Sequence, residues 1–276
     1  MGLRINTNIA SQEVQRNLRV NSAEQEVEFA RLSSGKRITK SADDAAGLAI
    51  AKKLEASTKG MKMATRNAND AISLVQVAEG GLNESTNILT RLRELSVQAA
   101  SDTVGEQERG FLNMEYQQLT QELDRIAVTT NFNGRSLLKG EGDTLDFQVG
   151  AYGGETNQIQ FDASQTDATI ESLGVDGTSI TDKSEAAGNL ERIDQAIDKV
   201  SGFRANLGAT QSRLQTAVSS LEISSVNQEA ARSRIEDTDV AASSAKLASI
   251  NIMKAAGTAV LSQANDLPAS ALKLIA

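Results

Sequence analysis

The chain contains neither cysteine nor histidine and no tryptophan, and its single proline is Pro268. Without cysteine there are no disulfides, and redox compartment cannot be read from the sequence. The missing cysteine and histidine also remove the usual zinc ligands and the commonest general base. One proline near the end leaves more than 260 residues with nothing to fix a turn or break a helix. Aromatics are scarce, six Phe and two Tyr, too few for a thick globular core. Basic residues are outnumbered, 28 against 36 acidic, and a net charge of −8 argues against nucleic acid as a partner. No run reaches membrane-spanning length, and Met1–Ala10 lacks the apolar stretch of a signal peptide. The expectation is a chain with no membrane segment that stays in the cytoplasm or leaves by a route without cleavage.

What is present is a long helical repeat. From Met61 the steps of three and four give Ala64, Ala68, Ala71, Val75, Ala78, Leu82, Ser85, Leu89, Leu92, Ser96 and Ala99. Only the two serines interrupt an apolar seam, and a seam recurring every 3.5 residues keeps one helix face against a partner. Ile72, Ile88 and Leu95 lie off it, so a second neighbour is expected. The fold class is therefore mainly α: an elongated antiparallel helical bundle or coiled coil, with N- and C-terminal segments paired and a small β-hairpin.

The other elements follow in order. Residues 1–32 are weakly amphipathic through Ile5, Ile9, Val14, Leu18, Phe29 and Leu32, interrupted by Asn21 and Gln25, with Gly35 as a helix C-cap. Ser41-Ala42-Asp43-Asp44 starts the long helix, expected over 44–101 and, at 1.5 Å per residue, about 90 Å long. Gly80-Gly81 is its weak point and a place for a bend. A helix over 107–127 carries Leu112, Tyr116, Leu119, Leu123 and Ile126 and returns antiparallel. In the region 140–183, Leu145, Phe147 and Val149 alternate, Tyr152-Gly153-Gly154 turns, and Ile159 and Phe161 alternate again, a hairpin pattern. The rest of that region, rich in Asp, Thr, Ser and Gly, reads as exposed loop. A helix over 184–236 repeats Leu190, Ile193, Ile197, Val200, Leu207, Leu214, Val218 and Leu221, broken by Arg204 and Gln211. The last stretch gives Ile250, Met253, Gly257, Val260, Ala264 and Leu267 in step. Half-polar end helices cannot offset about 1–2 kcal/mol of backbone ordering per residue. Residues 1–43 and 237–276 are therefore expected to order only against each other and against other copies.

Apparent chemical motifs have structural explanations. Ser33-Ser34-Gly35-Lys36 has the S-x-x-K spacing of a lysine-activated serine, but neither S-D-N nor K-T-G accompanies it, and a helix-cap turn suffices. Asp43-Asp44 suits a helix N-terminus, where the dipole favours acids. Gly150–Gly154 lacks the helix and lysine of a phosphate cradle. Arg31, Lys36, Arg37, Lys40, Lys52, Lys53, Lys59 and Lys62 form a basic cluster without aromatics to stack bases, so it reads as a solvated or subunit-facing surface. No nucleophile, base and orienting group converge, so no enzyme is expected and no cofactor or metal is assigned.

The motifs at both ends carry a family resemblance. Ile5-Asn6-Thr7-Asn8, Leu32-Ser33-Ser34-Gly35-Lys36-Arg37-Ile38 and Ser41-Ala42-Asp43-Asp44-Ala45-Ala46-Gly47-Leu48-Ala49-Ile50 resemble the N-terminal signature of bacterial flagellin. Arg66-Asn67-Ala68-Asn69-Asp70, Arg91-Leu92-Arg93-Glu94-Leu95 and Phe132-Asn133-Gly134 extend it. Arg234-Ile235-Glu236-Asp237-Thr238-Asp239, Ala256-Gly257-Thr258 and Gln263-Ala264-Asn265-Asp266-Leu267-Pro268 resemble the C-terminal signature. Only about residues 140–183 fall outside, where flagellins usually insert variable outer domains, so the chain resembles a short form. Ser243, Ser244, Lys254, Ala255 and Gln25 depart from the family pattern.

The resemblance implies an inner coiled-coil layer of residues 1–43 with 237–276, and an outer rod over 44–236. It implies a structural subunit that self-polymerises into the extracellular flagellar filament for motility. It further implies unfolded export through the flagellar type III apparatus with an export chaperone, and partners in the filament cap and hook–filament junction proteins. Neither nucleic acid nor membrane is among the expected partners. Ile5, Ile9, Val14, Leu18, Ile250, Met253, Val260 and Leu267 are assigned to subunit packing, and Val75, Leu82, Leu89, Leu92, Leu207, Leu214 and Leu221 to the rod core. Arg91, Leu95 and Glu115 match a patch read by a Toll-like receptor, with Thr90 in place of the usual glutamine. The competing readings are a hook–filament junction protein and a signalling coiled coil such as a chemoreceptor stalk.

Overall fold

The computed structural model describes the backbone of residues 7–141 and 144–273, and side chains as far as Asp266. In chain order the elements are helices α1 (Ile9–Ser34), α2 (Ala45–Ala99) and α3 (Glu106–Thr129), strands β1 (Asn131–Phe132), β2 (Arg135–Ser136), β3 (Thr144–Gln148) and β4 (Gln158–Asp162), a one-turn helix α4 (Ile170–Leu173), and helices α5 (Lys183–Glu236) and α6 (Val240–Lys273). The mainly α class with a small hairpin is as the periodicity predicts. Two compact units form: residues up to Ala56 with those from Asn227 onward, and residues Ser57–Val226.

In the Ser57–Val226 unit, all twelve positions of the Met61–Ala99 seam are buried, the two serines included. Ser85 and Ser96 satisfy their hydroxyls on the carbonyls of Gly81 and Leu92 one turn back, at 3.0 and 2.8 Å, so they sit in an apolar seam without an orphaned group. Leu95 is also fully buried, and Ile72 and Ile88 pack on the core half-buried, giving α2 its second contact face. α2 continues through Gly80-Gly81 without interruption. Where the sequence offers Arg204 and Gln211 as breaks in α5, the buried stripe runs instead through Ile193, Ala196, Val200, Leu207, Thr210 and Leu214, with the half-buried Phe203 in step. Arg204 and Gln211 are each one residue past that stripe.

Two hairpins close the unit. In β1–β2 the pair Phe132↔Arg135 leaves Asn133-Gly134 as a two-residue loop, and their φ values of 51° and 78° are those a tight turn between right-twisted strands requires. In β3–β4, Leu145 faces Phe161 and Phe147 faces Ile159, and all four pack on the helical core. The stretch after β4, expected as exposed loop, is instead a packed strap. Ala163, Ala168, Leu173, Val175 and Ile180 are buried along it. Its polar backbone is satisfied by the helices beneath: Gln117 donates to the Thr178 carbonyl (2.8 Å), Asn189 to the Ser179 carbonyl (2.7 Å), and the Ile180 amide donates to Asn113 (3.0 Å). Small apolar residues spaced among hydroxyls carry no periodicity, which is why composition alone reads this segment as loop.

In the other unit, Gly35 ends α1 in the left-handed region, and Asp44 caps α2 by accepting from the Gly47 amide (2.8 Å). The Asp43 carboxylate accepts from the amides of Lys40 and Thr39 and from the Thr39 hydroxyl, which holds its pKa below the ordinary value. The acid pair is thus turn and cap. α1 and α6 pack antiparallel along their length.

Candidate functional site

Among the described residues no group of acidic side chains is placed to hold a metal ion. The surfaces that bear on function are the rod core, the charged faces that lock it, and the paired terminal helices.

Of the seven residues assigned to the rod core, Val75, Leu82, Leu89, Leu92, Leu207 and Leu214 are buried and Leu221 is half-buried. Charge clamps join the helices over that core. Arg91 on α2 donates through Nε and Nη2 to Glu115 of α3 (2.9 and 2.7 Å) and through Nη1 to Glu94 (3.0 Å). Arg93 grips Asp194 of α5, holding that carboxyl below its ordinary pKa. Lys183 does the same for Asp102. Arg109 donates to the carbonyl of Ala99, the last residue of α2, which has no partner inside the helix, and to that of Ser101 in the turn beyond it. Of the receptor-patch residues, Arg91 and Glu115 lie together at the surface. Leu95 does not join them, because it is fully buried in the core.

The terminal pair follows a strict heptad. On α6 the residues withdrawn from solvent between Val240 and Asp266 are Ser243, Leu247, Ile250, Lys254, Gly257, Leu261 and Ala264, alternating steps of four and three. On α1 the facing series is Ser11, Val14, Leu18, Asn21, Gln25, Glu28 and Leu32. Two phase errors in the sequence reading are corrected here. Met253 and Val260 stand one residue before the true seam positions Lys254 and Leu261 and are 44% and 49% exposed. A lysine hides its place in a seam because its aliphatic stem lies buried while its ammonium reaches a partner.

Across the seam, Asn8 donates to the Ala264 carbonyl (2.7 Å), Gln25 to Asn251 (2.6 Å), and Lys254 to Gln25 (3.0 Å). A β-carbon on Gly257 would lie 2.8 Å from Leu18 Cδ2, so the helices touch there. Glu28, only 2% exposed, receives Arg31 at 3.0 Å and Lys246 at 3.2 Å, both on Oε1. Burial pushes its carboxyl up, but the Lys246 hydrogen bond, the two cationic charges and the nearby Ser243 hydroxyl outweigh it and hold it below the ordinary value. At the base of the pair, residues 35–37 and 236–238 are stitched together: Arg37 N donates to Glu236 O (2.7 Å), Thr238 N to Gly35 O (3.0 Å), and Lys36 pairs with the buried Glu236.

Of the residues assigned to subunit packing, Val14, Leu18 and Ile250 are already engaged inside this intrachain seam, whereas Ile9 joins Met253 and Val260 on the outside, 58% exposed. Ile5 and the Leu267 side chain lie outside the described residues. The sequence reading missed three further outward apolar residues, Val240, Ile252 and Val20, at 60%, 71% and 51% exposed. Val20 and Ile252 fall off the intrachain period, whereas Val240, one heptad before Leu247, is in phase with it yet exposed, so only the structure separates these residues from the seam.

These features define a class: a helical structural protein whose paired ends carry an unburied outer apolar face. The comparisons place it further. The family model for the bacterial flagellin N-terminal helical region matches residues 5–143, and that for the C-terminal helical region matches residues 190–275. The chain is 41% identical to a flagellin of Halalkalibacterium halodurans over 98% of this chain and 99% of that protein. It is 37% identical to a flagellin of Bacillus subtilis over 99% and 100%. A crystal structure of Bacillus cereus flagellin superposes with a TM-score of 0.51 at 31% identity, over 56% of this chain and 88% of that one. The chain belongs to the bacterial flagellin family.

Proposed function

We infer that the chain is a structural subunit that polymerises with copies of itself into the extracellular filament of the bacterial flagellum, and that it is not an enzyme. The observation that carries this is the outer face of the terminal pair. Ile9, Val20, Phe29, Val240, Ile252, Met253 and Val260 all stand between 44% and 71% exposed on two helices that already cover each other's seam. Transferring that apolar area out of water is favourable by roughly 25 cal/mol per Å², and only further chains can supply the cover. The inner layer is assigned to residues 1–43 and 237–276 and the outer rod to 44–236.

The finer parts of the reading rest on family membership. Export proceeds through the flagellar type III apparatus with a chaperone, and assembly takes place under the cap on hook–filament junction proteins. A receptor-facing patch for a Toll-like receptor is centred on Arg91 and Glu115, with Leu95 acting from beneath by fixing the α2 backbone. Electron microscopy of the purified protein after salt-induced assembly tests the core claim. Filaments are expected, and Ile252→Lys with Val260→Lys should leave dispersed particles of unchanged helicity. Particles that never grow into filaments at any salt or protein concentration overturn the function, and filaments from the double variant overturn the assigned face.

A further inference from the structure

The seam between α1 and α6 is poorer in apolar residues than its regularity suggests. Four of its seven α1 positions, Ser11, Asn21, Gln25 and Glu28, are polar, and α6 contributes Ser243 and Lys254. Its pattern also repeats: Ser11, Leu18, Gln25 and Leu32 are seven apart, as are Ser243, Ile250, Gly257 and Ala264. A heptad shift of one helix along the other, about 10 Å, therefore returns small and apolar residues to equivalent places. Apart from the close Leu18–Gly257 contact, whose glycine a shift would replace with Ala264 or Ile250, apolar packing does not distinguish the native register from its neighbours.

The polar residues do. Sliding α6 by seven in one direction replaces Lys246 and Ser243 beside Glu28 with Met253 and Ile250. Glu28 then exchanges Lys246 for Lys254, which arrives at the adjacent place of Leu247, while Gln25 meets Thr258 and Leu261 in place of Asn251 and Lys254. Sliding the other way brings Asp239 to the place of Lys246, a like charge against a buried acid. The first slip leaves Gln25 facing Leu261 where Lys254 had been, and the second sets a like charge against Glu28. The native arrangement is not built for maximum stability either: Glu28 Oε2 is buried without a hydrogen-bond partner, and the Ser243 hydroxyl beside it is engaged by Thr238 at 3.0 Å. Replacing a buried ion pair with apolar residues is often neutral or stabilising, whereas a misplaced one is strongly unfavourable.

We propose that Gln25, Glu28, Lys246 and Lys254 are the specificity determinants of terminal-helix pairing, selecting one register of α1 on α6 against its heptad-shifted alternatives. Four of the five family departures noted in the sequence bear on this: Gln25 and Lys254 are half of the lock, Ser243 borders Glu28, and Ser244 is the residue that would meet Gln25 in the second slip. The stitch between residues 35–37 and 236–238 anchors only one end of the pair, and the lock acts further along.

The absence of native cysteine makes the test direct. Leu18→Cys with Gly257→Cys reports the native register, and Leu18→Cys with Ala264→Cys reports the shifted one. Each pair is placed in the full-length chain and oxidised, and intramolecular disulfide is scored in soluble and sedimented fractions. With the lock intact, the native pair should form at least tenfold more disulfide than the shifted pair. Adding Gln25→Leu and Glu28→Leu should raise the shifted product to within about threefold of the native one. Lys246→Glu should suppress the native product, and Glu28→Lys in the same chain should restore it, a rescue that a merely space-filling role would not give. If the shifted pair stays at its low level in the leucine background, the stitch alone sets register and the proposal fails. It fails equally if both disulfides vanish there, or if Lys246→Glu leaves the native product unchanged.

Discussion

Gly81 on α2 lies so close to Leu138 that a β-carbon there would stand 2.8 Å from Leu138 Cδ1, and 2.7 Å from the Thr130 hydroxyl. Gly80, its neighbour in sequence, faces open space. One helix thus holds two glycines of opposite meaning. Alanine in a helix interior is favoured over glycine by about 1 kcal/mol, so Gly80→Ala should stabilise the chain by about 0.5–1 kcal/mol. Gly81→Ala gains the same propensity but overpacks the contact, which costs about 1–3 kcal/mol, and should come out destabilising. Urea unfolding of the two variants checks the sign, which propensity alone would make identical.

Tyr116 ties the strap to the core. It is fully buried, its hydroxyl lies 2.8 Å from Thr178 Oγ1, and burial pushes its pKa up, so it stays protonated. Tyr116→Phe removes that bond but leaves Thr178 donating to the Val175 carbonyl. A loss of about 0.5–1.5 kcal/mol is expected. Amides near Ile180 should lose more hydrogen-exchange protection than those of α2, and equal losses in both places would show that the tyrosine does not act through the strap.

The two long seams differ in how openly the sequence displays them, and the difference is physical. The α2 seam is alanine and leucine with two serines that bond back to their own helix, so a period of 3.5 exposes it residue by residue. The α6 seam passes through Lys254 and Gly257, one an amphipathic cation and one without a side chain, and a hydropathy reading slides to the neighbouring Met253 and Val260. In α5 the stripe passes through Thr210, and Arg204 and Gln211 beside it look like interruptions. The strap was illegible for another reason: its order comes from Asn113, Gln117 and Asn189 on distant helices, long-range partners that no local pattern records. The buried Glu28 belongs with it, since its cation from α6 is over two hundred residues away.

Core truncations should separate by position. Leu92 and Leu207 are essentially inaccessible, so replacing either with alanine should cost about 2–5 kcal/mol, the lost transfer free energy plus the cavity left behind. Leu221 is half-buried near the end of its unit, and Leu221→Ala should cost less than half as much. Denaturant midpoints at constant slope test the ranking. A Leu221 loss equal to that of Leu92 would mean that the end of the seam is covered by another chain under the conditions measured.

Glu28 makes terminal pairing sensitive to acid, and the sign follows from its depressed pKa. A carboxyl whose folded value lies below its unfolded value contributes stability that is complete above the ordinary glutamate value of 4.5. That contribution is lost as pH falls through the lower, folded value. Protonation removes the charge that Lys246 and Arg31 hold and leaves two cations close together on a neutral acid. Hydrogen-exchange protection of α1 and α6, corrected for intrinsic rates, should therefore stay level from neutrality down to about pH 4.5 and decline below it. Glu28→Gln keeps the shape and removes the titration, so its profile should be lower near neutrality and flatter through the acid range. A wild-type profile that declines in parallel with that of the glutamine variant would assign the acid sensitivity to groups other than Glu28.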